Sequence, residues 1–485
     1  MDITKLTAME IREKVINKEL SSKEVVKAHL DRIKEVEEDL NAFITITEEE
    51  ALKAAERLDE KISRGEELGI LAGIPIGIKD NIVTKDIRTT CGSKMLENFI
   101  PPYDATVIER IKANDGIILG KTNLDEFAGS YSTESSYFGI TKNPIDRERV
   151  PGGSSGGSAA AVKAYEVALA LGSDTGGSNR QPASYCSIIG IKPTYGLVSR
   201  YGLVPLSNSL DQVGTFGRNV TDATLLLQAI AGHDEKDPTS MGIKKVDYLS
   251  KLKEGIEGMN IALPKEYMNM DMDNRVKGKV MEAVKVFERL GGNVEEVSLP
   301  HAEYAWATYY LIVVTEISSN MARYDGIRYG YRTEDYETLN ELYIKSRTEG
   351  FGEEIKRSIL AGTYILSSKE GRKYHEKALR VRALIKKDFD KVFEKFDVIL
   401  MPTTPNLPFK IGDSVKNPFE MYGSGIFNIP ANLAGLCAIS VPCGYADGLP
   451  VGLQIMGDRF KEINILKAAY AFEKVLSLGG ENNGL

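Results

Sequence analysis

Histidine and cysteine are scarce in this sequence, four of each among 485 residues. Cys91, Cys186, Cys437 and Cys443 form no C-x-x-C pair, and His29, His233, His301 and His375 lie far from them. That spacing argues against a zinc site and for free thiols in a reducing, cytoplasmic setting. Long apolar runs are missing too: none reaches the ~18–20 residues of a spanning helix. The opening "MDITKLTAMEIREK" lacks the apolar core of a secretory signal. Basic residues are in deficit, 61 Lys plus Arg against 69 Asp plus Glu, for a net charge of −8. Such a chain does not by itself grip a nucleic-acid backbone, so neither direct nucleic-acid nor membrane contact is expected.

What is present reads as a folded protein with a large core, 42% hydrophobic and 27% charged. Residues 1–66 read as a helical lead-in, with Ser21 and Glu24 spaced as a capping box before Val25, Val26, Leu30, Ile33 and Val36. From about residue 70, short apolar runs ("GIPIGI", "GIILG", "VALALGSD") alternate with helical stretches, which predicts an α/β arrangement of layers around a sheet. The stretch from about 230 to 258 is polar and broken, a surface excursion. A β–α–β pattern follows, "MNIALP", a helix through "VKGKVMEAVKVFERLGG", then "NVEEVSL". Helical patterns fill roughly 303–395. "FDVILMP", "CAISVPCG" and "LPVGLQIMG" close the chain as strands, before a helix over about 462–477 that buries Leu466, Tyr470, Phe472 and Leu476. Strands from both ends of the chain favour one large catalytic domain over 67–485.

Two Gly/Ser-rich stretches carry the chemistry, "VPGGSSGGSAAAV" at 150–162 and "LGSDTGGSNRQPAS" at 171–184. A flexible linker would be flanked by polar sequence, whereas these abut an alanine-rich helix start and an apolar strand. The nearest approach to a phosphate loop, "DGIILGKT", has Asp115 where a glycine should lead. "GSSGG" matches a hydrolase elbow centred on Ser155, but that mechanism requires a histidine base. His29 and His375 sit in helical patterns among charges and are expected on solvated faces. "DTG" at 174–176 has no second copy to form an aspartic dyad. A serine activated by lysine remains. Lysine serves as a base only when neutral, which burial in apolar surroundings achieves. Lys79 follows Ile74, Pro75, Ile76, Gly77 and Ile78. Taken alone, it could equally be a lysine emerging into solvent at a strand end.

Four ordered segments, "GIKDN" (77–81), "PGGSSGGSAAA" (151–161), "GSDTGGSNRQPAS" (172–184) and "GIKPTYG" (190–196), resemble the amidase signature family. The resemblance implies a large central mixed β-sheet covered by helices on both faces, with a helical substrate-pocket insertion at about 303–395. It makes Ser178 the acylated nucleophile, Ser154 a bridging serine preceded by a cis peptide, and Lys79 the base. Backbone N–H groups of Thr175, Gly176, Gly177 and Ser178 would receive the oxyanion. Ser155, Asp174 and Arg180 would support the site. No metal, flavin or nucleotide cofactor is implied.

Within that family the likeness is to the glutaminase (A) subunits of tRNA-dependent amidotransferases, which release ammonia from glutamine for partner subunits. It runs through "GKTNLDEFA", "STESSYFG", "SRYGLVPLSNSLDQVG", "ALPKEY", "DGIRYGYR" and "ANLAGLCAISVPCG". Departures cluster at the expected pocket. Ser358 stands where those subunits have an arginine suited to a substrate carboxylate, and Gly425 where they have an aspartate suited to an ammonium. Gly129 replaces a methionine, Asn179 an aliphatic residue, "KEGRKYH" at 369–375 a tyrosine-rich stretch and Cys437 a proline, while Tyr309 matches. Leaving both ends of a free amino acid unpaired in a desolvated pocket would cost several kcal/mol. The favoured expectation is therefore an amidase or acyltransferase whose small-molecule amide or acyl substrate is not free glutamine. The alternatives are a working glutaminase subunit with relocated anchors, acting with B and C subunits, and a catalytically silent assembly paralogue.

Overall fold

Short apolar runs spread over four hundred residues come together in one mixed sheet. The computed structural model describes residues 2–244, 246–413 and 418–479. Among these the strands are β1 (Phe43–Ile46), β2 (Pro75–Lys79), β3 (Ile117–Thr122), β4 (Leu169–Asp174), β5 (Ile189–Lys192) and β6 (Gln212–Gly217). They continue with β7 (Asn260–Pro264), β8 (Asn293–Val297), β9 (Val398–Pro402), β10 (Cys437–Ala446) and β11 (Leu449–Gly457). Their order across the sheet is β1-β3-β2-β4-β6-β5-β10-β11-β9-β7-β8. The β3-β2-β4 and β9-β7-β8 groups are parallel, and the other pairs are antiparallel. Every residue of β2, β4 and β11 is buried, so helices cover both faces there, whereas β8 at the far edge is largely exposed.

The lead-in differs from its reading as purely helical. The helices Ala8–Ile16, Ser22–Leu40 and Glu48–Ser63 are present, and Ser21 and Glu24 make the capping box. Between the last two, β1 pairs antiparallel with β3 and becomes an edge of the main sheet. Four residues after a left-handed Asn41 give too short a run to stand out from its helical flanks. His29 also departs from expectation. It is fully buried, its Nδ1 lies 3.2 Å from the Glu166 carbonyl, and burial pushes its imidazole down to about 4.

The helices Ala305–Met321, Leu339–Gly350, Glu353–Ser367 and Lys369–Phe393 fill the region expected to be helical. The first, third and fourth of these helices share a second apolar core with Phe127, Phe351 and Phe427, which also takes Ala262, Ile399 and Met456 from the sheet. The final helix, Glu462–Gly479, buries Leu466 and Phe472 fully, with Tyr470 and Leu476 only partly covered. Among the described residues no helix is long and apolar enough to cross a membrane.

Candidate active site

Two parallel neighbours build the floor of the site. β2 and β4 pair with Ile78 opposite Leu171, so Lys79 and the Ser173–Asp174 end of β4 emerge at the same carboxyl edge of the sheet. That edge is where open α/β sheets place ligands. The segment 151–155 crosses it and feeds the helix Gly156–Lys163, and residues 175–179 lead from β4 into the helix Arg180–Tyr185. Glycine is required for close approach at two points. A Cβ on Gly153 would lie 2.1 Å from Asp125 Oδ2, and one on Gly157 would lie 2.5 Å from the Ala42 carbonyl oxygen.

Lys79 is wholly buried, which removes the solvent-emerging alternative. Its Nζ donates to Ser154 Oγ at 2.7 Å, Ser155 Oγ at 2.7 Å and Ser173 Oγ at 2.9 Å. Burial lowers its ammonium to about 7, although Asp125, Asp174 and Asp211 pull in the opposite sense. A substantial fraction of Lys79 is thus neutral at neutral pH. The peptide between Gly153 and Ser154 is cis. Ser155 occupies the N-cap position of the following helix yet makes no capping bond, its hydroxyl being committed to Lys79 and to the Ser173 carbonyl. The Ser155 N–H donates to the Ser178 carbonyl at 3.2 Å, tying the two serine loops together.

The loop after β4 is held by Asp174. Burial alone would raise this carboxyl, but Arg180 at 2.8 Å holds it well below the usual carboxylate range. Arg180 is itself fully buried and also donates to the Asn428 carbonyl, Asn432 Oδ1 and Gln454 Oε1. Asp174 accepts from the Gly177 N–H at 2.8 Å, so of the four backbone donors expected for an oxyanion, that of Gly177 is already engaged. Gly177 has φ +120°, a region that favours glycine. On the other side, Thr175 Oγ1 donates to Asp211 at 2.6 Å, a carboxyl that burial raises to about 6.

Ser178, Gly129, Tyr309 and Ser358 line one small cavity of about 30 Å³, together with Ser130, Tyr131, Leu206, Trp306 and other residues of the Ala305–Met321 helix. Gly425 backs it, its Cα facing the Tyr131 ring. Asn179 is placed elsewhere. Its amide turns beneath the loop, accepting from Ser155 Oγ at 3.2 Å and donating to the Ile191 carbonyl at 3.2 Å, so it braces β5 and is not among the residues lining the cavity at Ser178. The immediate reason is that the N–H of Asn179 is drawn to Asp174, which directs its side chain into the sheet.

Several residues at the site were not singled out from the sequence. Ser173 and Asn81 belong to the same motifs, and Asn81 Nδ2 donates to Ser173 Oγ at 2.9 Å, fixing an acceptor of Lys79. Their closeness to Lys79 and Asp174 was a usable signal. Asp125 and Tyr131 come from "LDEFAGSY", where nothing local marks them. The lysine of the rejected phosphate motif, Lys121, is buried against Asp80 at 3.1 Å.

The family model "Amidase" matches residues 24–466. The chain is 55% identical over 488 aligned positions to the glutamyl-tRNA(Gln) amidotransferase A subunit of Caldanaerobacter subterraneus, covering 99% of this chain and 100% of that one. Its fold superposes on the crystal structure of the glutamyl-tRNA(Gln) amidotransferase A subunit from Thermotoga maritima with TM-score 0.81 at 43% identity, covering 98% and 95% of the two chains. A bacterial aryl acylamidase superposes with TM-score 0.86 but only 27% identity, covering 97% and 96%.

These likenesses overturn the expectation of a substrate other than free glutamine. That expectation rested on lost charge at Ser358 and Gly425, whereas the 55% identity runs end to end through an amidotransferase A subunit and falls to 27% against the acylamidase. Two positions in one wall do not outweigh that, because recognition charge need not come from those two positions. With the family model spanning residues 24–466 and the lysine–serine network in place, the chain belongs to the amidase signature family, whose members cleave carbon–nitrogen bonds.

Proposed function

We propose that this chain is the glutaminase subunit of a tRNA-dependent amidotransferase, hydrolysing the side-chain amide of glutamine and supplying ammonia to partner B and C subunits. The observation that carries the reading is the end-to-end 55% identity to a glutamyl-tRNA(Gln) amidotransferase A subunit. In this reading neutral Lys79 takes the proton of Ser154, and Ser154 takes that of Ser178 as its Oγ bonds to the carboxamide carbon. The N–H groups of Thr175, Gly176 and Ser178 receive the oxyanion, while Gly177, bonded to Asp174, holds the loop that presents them. As the C–N bond breaks, the proton returns through Ser154 to the leaving nitrogen, and ammonia departs. Water then attacks the acyl-enzyme by the same relay and releases glutamate. In this reading the neutral polar groups available to substrate around Ser178 include Ser130, Ser358 and the Tyr309 phenol, which line the cavity.

The test is glutamine hydrolysis by the purified chain, alone and assembled with B and C subunits. Saturable glutamine hydrolysis that depends on Ser178 supports the reading. An assembled complex that hydrolyses no glutamine contradicts it.

A further inference from the structure

The cavity at Ser178 is narrow, about 30 Å³, and two phenols line it. Tyr131 and Tyr309 are 6% and 8% exposed, and Tyr131 donates to the Gly176 carbonyl at 3.3 Å. A Cβ on Gly176 would lie 2.5 Å from the Tyr309 hydroxyl and 2.6 Å from that of Tyr131, so both phenols rest directly on the loop beside the nucleophile. Burial raises the Tyr131 phenol, so it stays neutral.

What admits the Tyr131 ring is an absence. A Cβ at position 425 would lie 2.7 Å from two ring carbons of Tyr131 and 2.8 Å from its oxygen. Any side chain there and this ring position exclude each other. Tyr309 is fixed within a helix of the second core, whereas Tyr131 follows a single 3-10 turn, Glu126–Ala128, in an irregular segment held chiefly by its backbone, with Gln181 Nε2 donating to its carbonyl at 3.0 Å. Of the two rings, Tyr131 is the one carried by an irregular segment and not by a helix.

We propose that Tyr131 is the specificity-determining residue of the acyl pocket: its ring, seated against Gly425, sets how wide an acyl group can reach Ser178, and slim unbranched chains pass where ring-bearing ones do not. The inference rests on Ser178 as nucleophile and deepens the glutaminase reading by naming the wall that selects a slim side-chain amide.

The test compares the rates at which methanesulfonyl fluoride and phenylmethanesulfonyl fluoride modify Ser178 in the full chain. In the unmodified protein the methyl probe reacts faster. Tyr131→Ser raises the phenyl-to-methyl rate ratio by about tenfold or more, the scale on which pocket volume discriminates. Tyr131→Phe keeps the ring and leaves the ratio within about twofold. Gly425→Ala alone displaces the ring and changes the ratio, whereas added to Tyr131→Ser it changes little. Thermal melts of each variant identify any that do not fold, and the Tyr131→Phe comparison stands without them. A ratio unmoved by Tyr131→Ser, or effects at 131 and 425 that simply multiply, would overturn the inference while leaving the nucleophile intact. Failure of the methyl probe to modify Ser178 in any variant would overturn the nucleophile reading and this inference with it. Glutamine hydrolysis, measured separately, bears only on the substrate.

Discussion

The floor of the site and its wall are built on opposite terms. On the floor, Lys79, Ser154, Ser155 and Ser173 form a buried polar network in which each hydroxyl is bonded to the lysine, and Arg180 closes it from below with bonds to residues of distant elements. On the wall, Tyr131, Tyr309, Trp306, Val313 and Ile317 present ring and aliphatic faces, with Ser130 and Ser358 beside them and few directed bonds. A buried polar network tolerates little change, because any orphaned group bears its full desolvation cost. An apolar wall tolerates exchange of shape at nearly constant energy. The chemistry of cleavage is therefore tied to the floor, and the choice of what is cleaved to the wall.

The largest effects are expected on the floor. Ser178→Ala is expected to remove measurable amide hydrolysis, and Lys79→Ala to lower kcat by about 10³-fold or more, as loss of a nucleophile and of its base do. Near-normal single-turnover acylation in Lys79→Ala would remove lysine from the relay. Next in size is Arg180→Ala, which strands the Asp174 carboxylate in the interior. Urea denaturation should register a loss of about 3–5 kcal/mol, and a loss below about 1 kcal/mol would show the floor to be far softer than its bonds suggest.

A smaller effect sharpens the contrast. Ser173→Ala deletes one of Lys79's acceptors and Asn81's partner, and should lower kcat by about 10- to 100-fold with KM little changed, read from steady-state kinetics. Smallest is Asn179→Ala, a residue at the junction of the two regions. Because its amide braces Ser155 and Ile191, it should lower stability by about 1–2 kcal/mol in denaturation and leave KM in place. A changed KM with unchanged stability would return Asn179 to the wall.

Legibility in the sequence divides along the same line. Lys79 stands out as a candidate because it ends a short apolar run, whereas Ser154 and Ser178 are singled out only by the resemblance of their glycine-rich segments to the amidase signature; the strands beneath them show as short apolar runs. The edge strand Phe43–Ile46 could not, since four residues between long helices have no period of their own and become a strand only by pairing with β3. His29 was misjudged because its covering group, the Glu166 carbonyl, lies 137 residues away. Tyr131 was invisible for a similar reason: its importance arises from the missing side chain at Gly425, a contact between segments nearly three hundred residues apart. The same long-range dependence misled the reading of Ser358 and Gly425, where two absent charges were weighed without the wall around them.

Lys79, lowered to about 7 by burial, is expected in its neutral form to draw the proton that makes Ser178 a nucleophile. The direct measurement is the pH dependence of Ser178 modification by methanesulfonyl fluoride. Neutral lysine is the active form, so the rate should fall about tenfold per unit below a midpoint near 7, level off above it, and lose this dependence in Lys79→Ala. A rate independent of pH between about 5 and 9, or the same curve in Lys79→Ala, would contradict it.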